Sequence, residues 1–157
     1  MTALTEAPMQ TKPNRTCAKD NNESRQAKRK ARVLIADDCE SIMREIEQIL
    51  EPEFDIVGKA TNGIDLIEKA AQLAPDVVVT DLQMPGLSGI EASRVALKES
   101  PDLPILLLTS HGDRYLVREA LGAGIRGYVL KLAAVEELIP AVYGALKGET
   151  FVSPSLR

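Results

Sequence analysis

The sequence predicts an open, doubly wound α/β fold, in which a parallel sheet is covered by helices on both faces. From about residue 32 onward, short apolar runs alternate five times with segments of helical periodicity. The apolar runs are largely unbroken, which indicates strands that are buried on both faces. Five such units in about 115 residues are too few for an eight-stranded barrel, so the sheet is expected to be open.

The first two units show the pattern most plainly. Residues 33–36 are all apolar and are predicted as a strand, and the isoleucines of residues 42–50 recur on one face of a helix. Residues 54–60 are predicted as the second strand. Asn62 then stands where a helix cap is expected, before a helix over residues 64–73.

The last three units follow the same alternation of strand and helix. Their apolar runs are rich in Val, Leu and Ile, which suits buried strands. The predicted elements are a strand at 77–80, a helix at 88–99, a strand at 104–109, a helix at 113–123, a strand at 127–130 and a helix at 135–146.

The last of these helices has an irregular sequence. No clear capping residue follows Lys131, because the next residues are Leu132, Ala133 and Ala134. Pro140 lies within the helical pattern, where it removes one backbone donor. We therefore expect this helix to kink at the proline or to begin late.

Charge divides the 157 residues into a short tail and one folded domain. The first 32 residues carry eight Lys or Arg against three Asp or Glu and few large apolar side chains, whereas the remainder is acidic. Such a segment cannot bury enough surface to fold, so 1–31 is predicted to be a disordered basic tail. Its basic end would contact nucleic acid or an acidic partner, or simply be solvated. The folded domain is predicted at 32–148, followed by a tail or a truncated linker at 149–157.

Composition also argues against several classes of protein. Cys17 and Cys39 are the only cysteines, and they lack the spacing of a disulfide framework or a zinc site. No apolar run reaches the roughly 18 residues that a membrane span requires. The expectation is a cytoplasmic protein with no membrane partner.

Residues capable of chemistry follow four of the predicted strands. They are the pair Asp37 and Asp38, then Asp81, then Thr109, and finally Lys131. A single aspartate after a strand usually caps a helix or begins a turn. The carboxyl ends of parallel strands share one edge of the sheet, however, so all of these side chains are expected to meet there.

Their combination is suited to accepting phosphate. Two carboxylates repel by roughly 4 kcal/mol at 4 Å for an effective dielectric constant near 20, so a hard divalent cation such as Mg²⁺ is expected beside them. Asp81 is the best candidate nucleophile because it stands at the end of a central strand, before a turn. Lys131 would neutralise the charge of a transferred phosphoryl group, and the Thr109 hydroxyl would donate a hydrogen bond to a phosphoryl oxygen.

These motifs resemble those of a known family. The pair Asp37-Asp38, the block DLQMPGLSGIE at 81–91, LLLTS at 106–110 and GYVLK at 127–131 resemble the receiver domains of bacterial two-component response regulators. The ending at 148–157 resembles the linker of the NarL/FixJ-like subfamily. The resemblance implies a flavodoxin-like fold with five strands in the order 2-1-3-4-5 and five helices.

The resemblance also implies roles for individual residues at the metal site. Asp81 would be the phosphoacceptor, and Asp38 and Asp81 would bind Mg²⁺ directly together with the backbone carbonyl of Gln83. Asp37 would bind the metal through water. Gln83, like His111, stands at a position that affects the lifetime of the phosphoryl group in this family, although His111 is first expected to be a solvent-facing loop residue.

A switch mechanism is implied as well. Lys131 would bind the phosphate, Thr109 would be the switch hydroxyl, and Tyr128 would be the switch aromatic residue that turns inward. A sensor histidine kinase or a phosphotransfer protein would supply the phosphoryl group to this phosphoprotein. Phosphorylation would then alter the face formed by the fourth helix, fifth strand and fifth helix, with a homodimer as one outcome.

Two versions of this function remain open. The domain would act either as a free-standing switch or as the regulatory half of a helix-turn-helix transcription factor, and DNA would be contacted only through an output domain absent from these residues. The domain is expected not to be an enzyme beyond hydrolysing its own acyl phosphate. A dehalogenase-like phosphatase would need a second aspartate at Gln83, and a dinucleotide site would not place Asp37 and Asp38 in its phosphate loop.

Overall fold

The computed structural model describes residues 29–157. Residues 1–28 of the predicted disordered tail lie outside the described residues. The described part contains a parallel sheet of six strands in the order β2-β1-β3-β4-β5-β6. The strands are β1 (Arg32–Ala36), β2 (Asp55–Ala60), β3 (Val77–Thr80), β4 (Ile105–Thr109), β5 (Gly127–Leu130) and β6 (Phe151–Val152). The helices are α1 (Glu40–Leu50), α2 (Gly63–Leu73), α3 (Gly89–Glu99), α4 (Arg114–Gly122) and α5 (Ala134–Leu146).

The strand order 2-1-3-4-5 is confirmed, but the predicted number of strands must be corrected from five to six. β6 falls within the segment predicted as a tail or truncated linker, and it extends the sheet at the edge of β5. Gly127 lies opposite Phe151, and Tyr128 lies opposite Val152. A strand of only two residues is too short to show an alternating pattern in the sequence. Only its pairing with β5 in the folded structure defines it as a strand.

Two apolar cores cover the two faces of the sheet. Successive residues of a strand point to opposite faces, so Val33 and Ile35 pack with α1 and α5. Leu34 and Ala36 pack on the other face, with the core that includes α2, α3 and α4. The three strands β1, β3 and β4 carry buried side chains, apart from the half-buried Arg32 at the start of β1, whereas the outer strand β2 is mostly exposed or half-buried. The predicted doubly wound architecture is therefore confirmed.

Three of the five helices begin with a side-chain cap, and the first of these caps, Asn62, was predicted from the sequence. Asn62 accepts a hydrogen bond from the Asp65 amide at the start of α2. Ser88 accepts one from the Glu91 amide, and the Glu91 carboxylate accepts one from the Ser88 amide, which makes a capping box for α3. Asp113 caps α4 in a similar way.

α5 begins without such a cap. A short 3-10 turn, Lys131–Ala133, leads into it, and no side chain of the described residues caps the helix. Of the two predicted outcomes, the late start is wrong, since α5 begins at Ala134 and includes Pro140 in its middle on an exposed side, while the kink stays a prediction. A proline there leaves the carbonyl of Glu136 without its usual helical donor. Within residues 29–157, no helix is both long enough and apolar enough to span a membrane.

Candidate functional site

The carboxyl ends of the central strands bring the predicted site residues together. Asp37 and Asp38 follow β1, Asp81 follows β3, and Lys131 follows β5 at the same edge of the sheet. The Lys131 ammonium lies 3.0 Å from Asp37 Oδ2 and 3.4 Å from Asp81 Oδ2. One oxygen of each of the three carboxylates lies within 4.8 Å of the other two. The predicted convergence of these side chains is thus seen in the structure.

Asp81 is held mainly by hydrogen bonds to its near neighbours. Its amide donates to the Ala36 carbonyl at 2.8 Å, which extends the pairing of β3 with β1 by one residue. The Thr80 hydroxyl donates to the Asp81 carbonyl, and the Leu82 amide donates to Asp81 Oδ1 at 2.8 Å. One carboxylate oxygen is therefore fixed by the backbone, while Oδ2 faces Lys131. The side chain is 10% exposed, so it is held in place but still accessible at the surface.

Gly89 has a positioning role that the sequence interpretation missed. It is the first residue of α3, and a Cβ atom placed on it would lie 2.1 Å from the carbonyl oxygen of Asp81. Its amide also donates to the Leu82 carbonyl at 2.7 Å. Only glycine permits this approach between the helix start and the phosphoacceptor candidate. The signal was its place in the DLQMPGLSGIE block, which by itself does not reveal a contact.

Burial and unequal charge dominate the electrostatics of the site. Burial raises the pKa of the Asp81 carboxyl, the Lys131 ammonium opposes that shift, and the Asp37 carboxylate adds to it. Burial on its own would lower the pKa of Lys131, but its ion pairs with Asp37 and Asp81 outweigh this and raise it. Lys131 therefore stays charged, and a single ammonium faces several carboxylates. The site is short of positive charge.

The donor set fits a hard divalent cation. Asp37 is completely buried, and its Oδ2 atom, although paired with Lys131, accepts no hydrogen bond from the described residues. Asp37 Oδ1 accepts one from the Cys39 amide at 2.9 Å. Asp38 is exposed and completes a group of oxygen ligands on one side of the site. Carboxylate oxygens, together with water molecules, are the ligands that Mg²⁺ takes in proteins.

The two predicted switch residues lie on neighbouring strands and are both fully buried. Thr109 ends β4, and its hydroxyl accepts a hydrogen bond from the His111 amide at 3.2 Å. Tyr128 lies in β5 with its ring pointing inward, and its hydroxyl donates to the His111 carbonyl at 2.6 Å. Burial raises the pKa of Tyr128 to about 12. His111, in the loop after β4, is therefore hydrogen-bonded to both Thr109 and Tyr128.

Gln83 and His111 lie on either side of one groove next to the site. The groove passes between α3 and α4, and both residues line it together with Arg94. The His111 side chain is exposed, as expected, while its backbone makes the contacts to Thr109 and Tyr128. The predicted use of the Gln83 carbonyl as a metal ligand stays a prediction.

Comparison with known proteins identifies the family. The family model described as the response regulator receiver domain matches residues 33–143. The transcriptional regulatory protein LiaR of Bacillus subtilis is 37% identical over 120 residues, which are 75% of this chain and 57% of LiaR. The transcriptional regulatory protein DegU of Brevibacillus brevis is 33% identical over 129 residues, 81% of this chain and 55% of DegU. The chain thus spans less than two thirds of the length of these relatives.

Solved structures agree with this result. A two-component response regulator of the LuxR family from Aurantimonas sp. SI85-9A1 superposes with a TM-score of 0.79 at 30% identity, covering 82% of this chain and 93% of that one. The isolated receiver of RcsB from Salmonella enterica serovar Typhimurium, solved with the phosphomimetic BeF3-, gives a TM-score of 0.75 at 30% identity, with 82% and 96% covered. The family predicted from the motifs is confirmed, and this chain belongs to the response regulator receiver domains.

Proposed function

We propose that this domain is a phosphorylation-activated switch in which Asp81 accepts a phosphoryl group. The observation that carries this proposal is the geometry around Asp81. One of its carboxylate oxygens faces the Lys131 ammonium at 3.4 Å, within a group of three carboxylates at the surface edge of the sheet. A nucleophile, a cation and a set of oxygen ligands are the groups that phosphoryl transfer needs in one place.

In the proposed reaction, a carboxylate oxygen of Asp81 attacks the phosphorus atom of the donor. A phosphorus–oxygen bond forms at Asp81 while the bond between phosphorus and the donor breaks, and the leaving group keeps the electron pair. Lys131, already charged, stabilises the negative charge on the transferred group. Asp37, Asp38, Asp81 and the Gln83 carbonyl would hold Mg²⁺, which supplies further neutralisation of that charge when bound. Later hydrolysis of the acyl phosphate returns the domain to its first state.

Phosphorylation is proposed to act through Thr109 and Tyr128. The reaction adds roughly 1.5 to 2 negative charges at Asp81, by analogy with other phosphorylated side chains. The Thr109 hydroxyl then serves as a donor to the phosphoryl group, and the inward position of Tyr128 becomes the favoured one. Since both residues bond to His111, the change reaches the loop between β4 and α4. The readout is a changed surface on α4, β5 and α5.

The proposed donor is a sensor histidine kinase or a phosphotransfer protein. LiaR and DegU are named as transcriptional regulatory proteins, and the RcsB receiver was solved with a phosphomimetic. These names support a second candidate, the regulatory half of a transcription factor that contacts DNA through another domain.

Light scattering with and without beryllofluoride tests the proposed phosphorylation-dependent homodimer, and an unchanged monomer mass contradicts it.

Intact mass after incubation with acetyl phosphate and Mg²⁺ tests the central claim. We expect the mass to increase by one phosphoryl group, with no increase for Asp81→Asn or in the presence of EDTA. Asp102→Asn is the matched control, because Asp102 is an exposed aspartate in the loop before β4 and should be phosphorylated like the wild type. A gain in Asp81→Asn, or no gain with either acetyl phosphate or a kinase donor in the folded wild type, contradicts the proposal.

A further inference from the structure

The segment after α5 is part of the sheet, and we call residues 150–157 the C-terminal strap. Its backbone pairs with β5, with the Phe151 amide donating to the Arg126 carbonyl and the Ser153 amide to the Tyr128 carbonyl, both at 2.9 Å. A 3-10 turn, Pro154–Leu156, follows. The strap therefore occupies the edge of β5, which lies within the face proposed to carry the output signal.

Side chains fasten the strap to both layers of the fold. Ser153 is completely buried, and its hydroxyl accepts a hydrogen bond from the Leu130 amide at 3.0 Å while donating to the Glu137 carboxylate of α5. Phe151 packs against the core on the α5 side of the sheet. Val152 and Leu156 pack against the core on the α4 side.

The same strap touches the switch at two points. Val152 lies opposite Tyr128 in the sheet, and the Tyr128 carbonyl accepts the Ser153 amide. On the other side, a Cβ atom placed on Gly112 would lie 3.2 Å from the Leu156 side chain, so Leu156 rests on the loop after β4. The preceding residue in that loop, His111, accepts the Tyr128 hydroxyl. Tyr128, the loop after β4 and the C-terminal strap therefore each contact the other two.

We propose that the C-terminal strap is coupled to the switch, so that its docking and the inward position of Tyr128 stabilise each other. If Tyr128 leaves that position, the His111 carbonyl loses its donor and the loop no longer supports Leu156. The link to phosphorylation rests on the function proposed above, whereas the link between Tyr128 and the strap does not. The face between α4 and α5 would then present the chain's own strap in one state and an open β5 edge in the other.

Amide hydrogen exchange tests the coupling without any phosphorylation. Tyr128→Phe removes only the hydroxyl bond to His111, and we expect the Phe151 and Ser153 amides to exchange about fivefold faster, as for one hydrogen bond of ordinary net strength. The amides of β1 serve as the reference for global unfolding. Ser155→Ala is the matched control, because Ser155 is an exposed strap residue, and it should leave the exchange unchanged. Equal exchange in wild type and Tyr128→Phe, or a rise shared equally by β1, overturns the proposal.

A second measurement adds beryllofluoride and Mg²⁺ and follows binding by fluorine NMR. We expect binding to slow strap exchange about fivefold, and Leu156→Ala to weaken beryllofluoride binding by the same factor, because coupling between two sites is reciprocal. Saturated binding with unchanged strap exchange overturns the phosphorylation coupling and leaves the proposed function intact. If beryllofluoride does not bind, the result counts against the proposed function. The Tyr128→Phe comparison then tests the coupling between Tyr128 and the strap on its own.

Discussion

The two sides of the site are held in different ways. On the β3 side, Asp81 is fixed by hydrogen bonds from residues beside it and by the close start of α3, all between residues 80 and 89 apart from the pairing with β1. On the β5 side, Lys131 and Tyr128 depend on partners far away in the sequence, namely Asp37, His111 and the strap. The helix that follows each side differs accordingly, since α3 has a capping box and α5 has no side-chain cap.

This contrast suits the chemistry proposed for each side. A nucleophile must keep one position for the donor, and short-range hydrogen bonds restrict it with little dependence on the rest of the fold. A switch must have two arrangements of similar free energy, and contacts between distant segments are the ones that can be exchanged. We therefore expect substitutions on the β3 side to affect phosphoryl transfer, and those on the β5 side to affect how the change is transmitted.

The largest expected effect comes from Gly89→Ala on the β3 side. The added methyl group would meet the Asp81 carbonyl at 2.1 Å, so the helix start or Asp81 must move. We expect a loss of about 3 kcal/mol in the free energy of unfolding and slower phosphorylation by acetyl phosphate. Gly144→Ala in α5 is the matched control, because its Cβ would have nothing closer than 3.6 Å, and it should raise stability by about 0.5 to 1 kcal/mol. If urea denaturation showed the same change in the free energy of unfolding for both substitutions, the close contact between Gly89 and Asp81 would not have the importance assigned to it.

The next effect is a pH dependence on the β5 side. The pKa of Tyr128 is raised to about 12 in the folded protein, above its ordinary value of 10.0. The folded state therefore holds this proton more tightly, and stability that is fully present below pH 10 is lost as the pH rises to 12. The loss is at most about 2.7 kcal/mol for a shift of about two units. Urea denaturation between these pH values should show a steeper decline for the wild type than for Tyr128→Phe, and parallel declines would contradict it.

The smallest effect is expected from the cap of α3. Ser88→Ala removes the acceptor of the Glu91 amide, at a cost of about 1 kcal/mol in the free energy of unfolding. Exchange of the strap amides should not change, because this cap belongs to the β3 side. Ser100→Ala, at the other end of α3, provides a control for the loss of an exposed serine hydroxyl. A strap that loosens in Ser88→Ala would show that the two sides are not independent.

Local patterns in the sequence predicted most of the fold, and long-range contacts account for what it missed. Asn62 was expected as a cap, and helices were expected to begin near Ser88 and Asp113, because capping is decided within four residues. Convergence of the site residues followed from parallel strands sharing one edge. β6, the approach of Gly89 to Asp81 and the bond from Tyr128 to His111 depend on the packed structure, so no periodicity or spacing in the sequence reveals them.

The sixth strand bears on where this unit can be excised from a longer polypeptide. The segment recognised by the family model ends at residue 143, within α5 and before β6 begins. A fragment cut there would leave the Arg126 and Tyr128 carbonyls and the Leu130 amide without their partners in the strap, along an exposed strand. Unpaired strand edges are templates for association with other copies. A preparation cut at the family boundary should therefore be prone to aggregate, because the folded unit is longer than the segment that identifies it.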